Sequence, residues 1–400
     1  MSAGPLAGVL AVAVLALSTA PVASGQTAQR PSLDSAAAAI LVDARDGATI
    51  LEKNAVQRRS IASTTKLMTA LLTLEQAPLD AVYTAADYQA AAAESKIDLR
   101  PGEQMRVDDL LEALILESAN DAAATLAEGI SGSRAAFVAE MNARAAELGL
   151  HDTGYANPIG LDDPLNYSTA RDLSALARRL LRDRRFARIV DSPSATLESG
   201  ARPRTVGNRN DLIASVPAVD GVKTGHTSQA GHVLVGSATG SNGAKVVSVV
   251  LGEPSEAARD ADTLALLRYG LAQYRRVPVL RRTRPVRRVD VAYRDEAVAL
   301  VPRRSVAVTA RRDQRISERV DAPDELKGEL AAGTRVGTVA VLRDGKVVRR
   351  VALLAAERVP GAGPLRRIAS SLGGALTALL LLVIVSVTVT AGMQVRRRNP

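Results

Sequence analysis

The chain has 400 residues, enough for two or three domains with a sizeable hydrophobic core. It has no cysteine and only three histidines, which excludes disulfide bonds and thiol catalysis and leaves no ligand set for a metal, so no cofactor is expected. The net charge is +9, but without tryptophan and with only seven tyrosines and two phenylalanines there is little to stack on bases, so nucleic-acid binding is not expected.

The N-terminus has the pattern of a signal peptide. Residues 6–17 are apolar and are followed by small residues at Ala20, Ala23, Ser24 and Gly25. We therefore expect residues 1–25 to be removed and the chain to be exported. No lysine or arginine precedes the apolar run, so a disordered alanine-rich leader stays open as the alternative.

The next part of the chain alternates strand and helix patterns. Two apolar runs, 40–44 and 48–51, flank Asp46-Gly47, and 233–238 and 246–251 flank a Gly-Ser-Asn-Gly stretch, so each pair predicts a β-hairpin. Helical patterns lie between and after these hairpins, at 63–74, 107–116, 121–128, 135–148, 169–182 and 264–274. Strands at both ends with helices between them predict an α+β domain over residues 33–275, with an antiparallel sheet covered by helices in an α/β/α arrangement.

The following segment predicts a small all-β domain over residues 278–358. Short valine-rich runs at 297–301 and 306–309 alternate with charged turns, and Asp344-Gly345 marks another hairpin. Residues 359–371, which contain Pro-Gly-Ala-Gly-Pro, are expected to be a linker.

The C-terminal segment has the composition of a membrane-spanning helix. Residues 372–393 carry no charge, and arginines flank the run on both sides. With a signal peptide at the other end, residues 394–400 would be a cytoplasmic tail and the preceding domains would lie outside the cell. Arginines crowd residues 275–319, which predicts either a surface for anionic polymers or lipid head groups, or simply a solvated basic face.

Ser63 and Lys66 are the first pair of candidate catalytic residues. One helical turn separates them, so both side chains lie on the same face of the predicted helix. The helix start favours developing negative charge near Ser63, and a lysine whose pKa is lowered by burial or nearby cations can act as base for the hydroxyl. A capping serine beside an exposed lysine is the open alternative.

Two further motifs follow at Ser118-Ala119-Asn120 and Lys223-Thr224-Gly225. These residues lie between two helical patterns, where Ser118 can relay a proton and Asn120 can hold a substrate backbone. A pair that caps the second helix is the open alternative. Lys223 and Thr224, just before a strand, can bind a substrate carboxylate, and Gly225 lets a substrate approach closely. For Lys223-Thr224-Gly225 the open alternative is an ordinary turn before a strand.

The order S-x-x-K, S-x-N, K-T-G is the known signature of penicillin-binding proteins and class A β-lactamases. Residues 219–227, 157–162 and 167–172 carry further likeness, and on these the chain resembles serine-type D-alanyl-D-alanine carboxypeptidases, the low-molecular-mass penicillin-binding proteins (peptidase family S11). The resemblance covers about residues 33–275 and extends to the β domain. Ala119, where glycine is frequent, and a fully apolar C-terminal run depart from the family pattern.

The resemblance implies a fold like that of β-lactamases and transpeptidases and a role for each motif residue. Ser63 is implied as the acylated nucleophile and Lys66 as its base, with Ser118 and Asn120 as proton relay and substrate anchor. The implied substrate-binding and oxyanion-hole residues are Lys223, Thr224, Gly225, His226, Arg209 and Arg259. The implied substrates are peptidoglycan stem pentapeptides that lose their terminal D-alanine, and the implied inhibitors are β-lactams.

Three other functions stay open at this point. A β-lactamase would use Asp162 or Asp163, in an Asp-Asp-Pro-Leu-Asn stretch, to activate water, although aspartate is shorter than the glutamate of that signature. A DD-transpeptidase would pass the acyl group to an amine with the same residues. A scaffold without activity would bind cell-wall peptides or proteins through the β domain, but it has no need of Ser63, Lys66 and Lys223 together.

Overall fold

The computed structural model describes residues 29–367 and 374–398. The expected signal peptide, residues 1–25, lies outside the described residues, as do residues 368–371 of the expected linker. The strands in chain order are β1 Ala38–Asp43, β2 Thr49–Lys53, β3 Arg59–Ser60, β4 Val82–Thr84, β5 Gln104–Arg106, β6 Tyr167–Ser168, β7 Ser194–Leu197, β8 Arg204–Gly207, β9 Val219–Thr227, β10 Gly231–Thr239, β11 Lys245–Glu253, β12 Tyr274–Leu280, β13 Arg287–Val291, β14 Ala297–Pro302, β15 Val306–Arg311, β16 Ile316–Asp321, β17 Glu325–Leu326, β18 Arg335–Arg343 and β19 Lys346–Ala355.

The helices lie mainly among the first eleven strands. In chain order they are α1 Lys66–Gln76, α2 Val107–Glu112, α3 Asn120–Ser131, α4 Arg134–Glu147, α5 Ala170–Leu180, α6 Arg184–Asp191, α7 Leu212–Ser215, α8 Glu256–Ala272 and α9 Gly374–Arg398. A short 3₁₀ turn, Ala62–Thr65, precedes α1, and a π-helical turn, Ala113–Glu117, follows α2.

A five-stranded sheet in the order β2-β1-β11-β10-β9 forms the centre of the first region, and all of its pairings are antiparallel. Every residue of β1 is buried, since both faces of the sheet are covered. Alternate residues point to opposite faces. Ile40 packs into the core on the side of α1, α3 and α5, whereas Leu41 packs with Leu266 and Leu267 of α8 on the other side. The predicted α/β/α arrangement is therefore confirmed.

The second region is the β domain, with a core of its own. Its strands form a six-stranded sheet in the order β16-β18-β19-β14-β13-β17 and a two-stranded sheet of β12 and β15. Leu300, Val341 and Leu353 are among its buried residues. Tyr274, at the start of β12, is buried against the first region and donates a hydrogen bond to Asp43 over 2.8 Å.

Several predicted elements are confirmed, with shifted ends. Both predicted hairpins of the first region are present, as β1–β2 and β10–β11. The helix predicted from Ser63 begins at Lys66, because Ser63 lies in the 3₁₀ turn. The helix predicted over 264–274 begins earlier, at Glu256, where the Ser255 hydroxyl accepts a capping hydrogen bond from Ala258 N over 3.1 Å.

The C-terminal segment is a helix, α9, but none of the helices in the described part of the chain is long and apolar enough to cross a membrane. The transmembrane helix expected over residues 372–393 is therefore not supported. Residues 372 and 373 of that stretch lie outside the described residues.

Candidate active site

Ser63 lies in the 3₁₀ turn that leads into α1, where two glycines let neighbouring chain segments approach it. A Cβ on Gly160 would lie 2.1 Å from Ala62 O, and one on Gly225 would lie 2.9 Å from Ser63 N. Such distances exclude a side chain at either position unless the turn moves. The backbone around Ser63 is thus enclosed by the loop containing Gly160 and by strand β9.

Lys66 is fully buried beside Ser63. Its Nζ lies 3.1 Å from Ser63 Oγ, 2.5 Å from Asn120 Oδ1 and 2.6 Å from the carbonyl oxygen of Ile159. A neutral amine has two N–H donors and one lone pair, and carbonyl oxygens only accept. Neutral Lys66 would therefore donate to Asn120 and Ile159 and accept the proton of the Ser63 hydroxyl. The alternative of an exposed lysine is wrong.

The electrostatic surroundings of Lys66 favour that neutral form. Burial, and after it the positive charge of Lys223, hold the pKa of Lys66 well below its usual value. Glu94 and Asp121 act in the opposite direction but do not outweigh these causes. The lysine is therefore available as a base at a pH where an exposed lysine would be protonated.

Ser118 and Asn120 lie between the π-helical turn and α3. Ser118 has a left-handed backbone with φ of 63°, and its buried Oγ has no hydrogen-bond partner within the described residues. Asn120 directs its Oδ1 to Lys66 and its Nδ2 to Glu94, over 2.6 Å. The N-cap of α3 is Ala119, without a side-chain capping bond, so the alternative of a capping pair is wrong.

The third motif lies inside strand β9 and not just before a strand as predicted, and the alternative of an ordinary turn is wrong. Lys223 and Thr224 are both buried, and Lys223 Nζ donates to the Thr224 carbonyl oxygen over 2.9 Å. Burial, followed by the charges of Arg209 and Arg259, lowers the pKa of Lys223 to about 7. His226, further along β9, stacks on His232 of β10 with ring centroids 4.1 Å apart.

Arg209 and Arg259 approach Lys223 from different elements. Arg209 forms an ion pair with Glu117, and Arg259 is buried and pairs with Glu256 and Asp260 at 2.8 Å. Both are near enough for their charges to lower the pKa of Lys223. Three basic side chains thus lie near one another, as expected for a carboxylate-binding site.

A cavity of about 500 Å³ opens at Ser63. Asn120 and Asp162 contribute to its wall, with Ile159, Gly160, Leu161 and the β9 end from His226 to Ser228. Asp162 accepts hydrogen bonds from Thr227 Oγ1 over 2.6 Å and from Gln229 N over 3.3 Å. Its carboxylate is therefore held against the end of β9.

Sequence reasoning missed Glu94, which also lines this cavity. Its carboxylate accepts hydrogen bonds from Asn120 Nδ2 and from the hydroxyl of Tyr88. Glu94 lies in an alanine-rich stretch with no motif, so no local pattern indicates its position next to Ser63. The carbonyl of Ile159 beside Lys66 was missed for a similar reason, because backbone acceptors leave no trace in residue types.

Two protein families match this chain. The model described as D-alanyl-D-alanine carboxypeptidase matches residues 24–255, and the model described as penicillin-binding protein 5, C-terminal domain matches residues 274–361. The first match covers the first structured region up to the start of α8, and the second covers the β domain.

Individual relatives match over most of their lengths. The D-alanyl-D-alanine carboxypeptidase DacF of Bacillus subtilis is 31% identical over 90% of this chain and 95% of its own, and DacA of Haemophilus influenzae is 32% identical over 81% and 85%. Penicillin-binding protein 5 of Haemophilus influenzae superposes with a TM-score of 0.59 at 31% identity, covering 83% of this chain and 99% of that one. The Streptomyces K15 DD-transpeptidase superposes with a TM-score of 0.58 at 33% identity, covering 61% and 99%.

Proposed function

The chain belongs to the D-alanyl-D-alanine carboxypeptidase family and is a serine-type carboxypeptidase, and we propose that its acyl-enzyme forms on Ser63. The substrate is a peptidoglycan stem peptide that ends in D-alanyl-D-alanine, and the enzyme removes the last D-alanine. The observation that carries the assignment of the nucleophile is the surroundings of Lys66. Two of its three polar neighbours are carbonyl oxygens and the third is the Ser63 hydroxyl.

In the first step, Ser63 Oγ attacks the carbonyl carbon of the penultimate D-alanine while its proton passes to Lys66 Nζ. The negative charge that develops on the carbonyl oxygen is stabilised by backbone N–H groups, for which we propose those of Ser63 and His226. Support for this pair is the close approach of β9 to the turn, since a Cβ on Gly225 would lie 2.9 Å from Ser63 N.

In the second step, the C–N bond breaks and the leaving D-alanine takes up a proton. We assign the relay to Ser118, because its buried hydroxyl has no partner within the described residues and is free to donate. The terminal carboxylate of the leaving D-alanine is bound by Lys223 and Thr224, with Arg209 and Arg259 adding positive charge. Water then attacks the ester of Ser63, which releases the shortened peptide and restores the hydroxyl.

The rival function of a β-lactamase has less support from the same cleft. A class A enzyme needs a carboxylate that holds a water molecule over the acyl-serine. Asp162 is engaged by Thr227 and Gln229, and Asp163 accepts a hydrogen bond from Leu165 N over 2.8 Å. Asn166, the last residue of that stretch, is buried and donates to Thr65 Oγ1 over 3.1 Å.

The direct test is release of D-alanine from diacetyl-L-lysyl-D-alanyl-D-alanine by the full-length protein and by Ser63→Ala. Release by the parent and none by the variant is the expected result. If the parent releases no D-alanine but a fluorescent penicillin still binds covalently at Ser63, the proposed substrate is wrong and the proposed nucleophile is right. Adding glycine as an amine acceptor distinguishes transpeptidation, which would divert the acyl group into a new peptide.

We also propose that the enzyme is exported and attached to the outer face of the cytoplasmic membrane by its C-terminal segment. The support is the signal-peptide pattern of residues 1–25 and the uncharged run 372–393. Apolar side chains of α9 are also largely exposed, such as Leu382 at 68% and Val387 at 61%. An exposed apolar surface of this extent is typical of a membrane or protein contact.

Cell fractionation tests this attachment. The full-length protein is expected in the membrane fraction and to need detergent for its release, whereas a variant that ends at Pro364 is expected in the soluble extracytoplasmic fraction. Equal distribution of the two proteins between these fractions would contradict a role for the C-terminal segment.

A further inference from the structure

Glu94 is a carboxylate at the active-site cavity, where the charge of Lys66 acts on it without direct contact. Within residues 29–367 and 374–398, no lysine, arginine or histidine forms an ion pair with it. Its Oε2 accepts from Asn120 Nδ2 over 2.6 Å and from the Tyr88 hydroxyl, and its Oε1 accepts from Ala91 N over 3.0 Å. A carboxylate has about four acceptor positions. Oε1 therefore has one position left for a donor from outside.

The chain around Glu94 is held in place from α3. Asn120 N donates to the Ser95 carbonyl oxygen over 2.8 Å, and Asp121 accepts from Ile97 N and from Leu99 N, over 3.2 and 3.0 Å. The carboxylate is thus fixed at the cavity wall before any ligand binds. Such preorganisation lowers the entropy cost of binding a ligand at this position.

The charge of Glu94 persists at neutral pH. Burial alone would raise the pKa of Glu94, but hydrogen bonds from Tyr88, Asn120 and Ala91 N, followed by the charge of Lys66, outweigh it and lower the pKa. The side chain is only partly buried, so a bound cation would form a partly solvated pair.

The charged groups around the proposed site therefore fall into two sets. Lys223, Arg209 and Arg259 lie where the proposed function binds the terminal carboxylate. The cavity at Ser63 has two carboxylates in its wall, Glu94 and Asp162, and neither lysine nor arginine among its described lining residues. Both keep open acceptor positions, but Asp162 is tied to the end of β9 by Thr227 and Gln229 N. Glu94 instead adjoins Asn120, the residue proposed to hold the substrate backbone, and is therefore the carboxylate placed to reach a side chain of the acyl-donor peptide.

We propose that Glu94 binds a side-chain ammonium group of the acyl-donor peptide, so that preferred substrates carry a free amine on the residue before D-alanyl-D-alanine. This inference rests on the proposed function and specifies its substrate class. Glu94 would determine specificity without taking part in bond breaking. The neutral amide of Asn120, held by the same carboxylate, would stay available to the peptide backbone.

Two peptides that differ only at that amine provide the test. Nα-acetyl-L-lysyl-D-alanyl-D-alanine keeps the free side-chain amine, and the diacetyl peptide has it blocked. The full-length parent is expected to show a kcat/KM about fivefold higher for the free amine at low salt, the upper end for a partly solvated ion pair. The preference is expected to shrink as ionic strength rises, because screening weakens exposed charge pairs.

The variant Glu94→Gln is expected to bring the two kcat/KM values within about twofold of each other. The ratio isolates the charge, because any disturbance of Asn120 slows both peptides alike. Asp87→Asn is the matched control, since Asp87 is exposed, contacts only Gln89 and does not line the cavity. This control is expected to keep the preference of about fivefold.

Two results would overturn the inference while leaving the carboxypeptidase function intact. One is equal kcat/KM values for the two peptides with the parent enzyme, and the other is a preference that survives in Glu94→Gln. If Glu94→Gln does not fold, judged by loss of penicillin labelling, the salt dependence of the parent decides, and a salt-independent preference counts against the proposal. Release of D-alanine from neither peptide by the parent would instead overturn the proposed function, and this inference with it.

Discussion

Lys66 and Lys223 are both buried in one cleft, where burial and then the charge of Lys223 lower the pKa of Lys66. The proposed chemistry needs the two lysines in different states, since Lys66 accepts a proton and Lys223 binds an anion. Lys223 also has a lowered pKa, about 7, because burial and the charges of Arg209 and Arg259 act on it. The cleft therefore reaches full activity only in a window of pH.

The pH dependence of kcat/KM is expected to be bell-shaped. A lysine carries its charge below its pKa, so the rate rises with pH as Lys66 loses its proton and falls through about pH 7 as Lys223 loses its own. Rates of D-alanine release measured across pH 7 follow the falling limb, and the range is extended downward until the rising limb of Lys66 is reached. In Lys223→Arg the guanidinium stays charged, so the falling limb should disappear even if the maximum is lower. An unchanged falling limb in that variant would exclude Lys223 as its origin.

Removing the proposed base, Lys66, should strongly slow acylation of Ser63 while the protein stays folded. Lys66→Ala is expected to slow covalent labelling by a fluorescent penicillin on the order of 10³-fold, within the range for loss of a general base. Lys96→Ala is the control, because that lysine is exposed on the segment next to Glu94 and pairs only with Asp98. Normal labelling of folded Lys66→Ala, with an unchanged circular dichroism spectrum, would show that another group accepts the proton.

Two substitutions of Ser118 separate its hydroxyl from its backbone. Both Ser118→Ala and Ser118→Gly remove the hydroxyl, so D-alanine release is expected to fall about 10²-fold in each, as for a lost proton-transfer group. Only glycine adopts the left-handed backbone, φ of 63°, without strain. The free energy of unfolding should therefore be about 1 kcal/mol higher for the glycine variant than for the alanine variant. Equal activity of Ser118→Ala and the parent would exclude the relay.

The sequence predicts the three motifs, the hairpins and most helices, because each depends on local residue patterns. Ser63 and Lys66 are one helical turn apart, and no long-range information is needed to predict their contact. The burial of Lys66 is different. It depends on Asn120 and on the Ile159 carbonyl, which reach the lysine from distant parts of the chain.

The position of Glu94 shows why the rest was not predictable. Nothing in its alanine-rich surroundings indicates a site, and it reaches the cleft only because Asn120 N and Asp121 hold its segment against α3. The third motif is predicted just before a strand and not within one, because Asp220-Gly221 and Gly225 weaken the strand pattern. Pairing of β9 with β10 over the whole motif overrides that local preference.

Gly160 provides a test of how closely the loop encloses the nucleophile. Its φ is +100°, and a Cβ there would lie 2.1 Å from Ala62 O and 2.9 Å from Ser63 N, so Gly160→Ala must displace either the loop or the 3₁₀ turn. We expect penicillin labelling to fall at least tenfold and the free energy of unfolding to drop by about 2–4 kcal/mol, the combined effect of backbone strain and overpacking.

Gly102→Ala is the matched control for Gly160→Ala. Gly102 also has a left-handed backbone, with φ of +81°, but a Cβ there would meet nothing within 4 Å. Gly102→Ala should therefore lower the free energy of unfolding by only about 1 kcal/mol, because of backbone strain, and should keep full penicillin labelling. Labelling kinetics and thermal unfolding of the two variants, measured side by side, separate strain from contact. If Gly160→Ala labels at the parent rate, the turn that carries Ser63 tolerates displacement, and close packing by the Gly160 loop is not what positions the nucleophile.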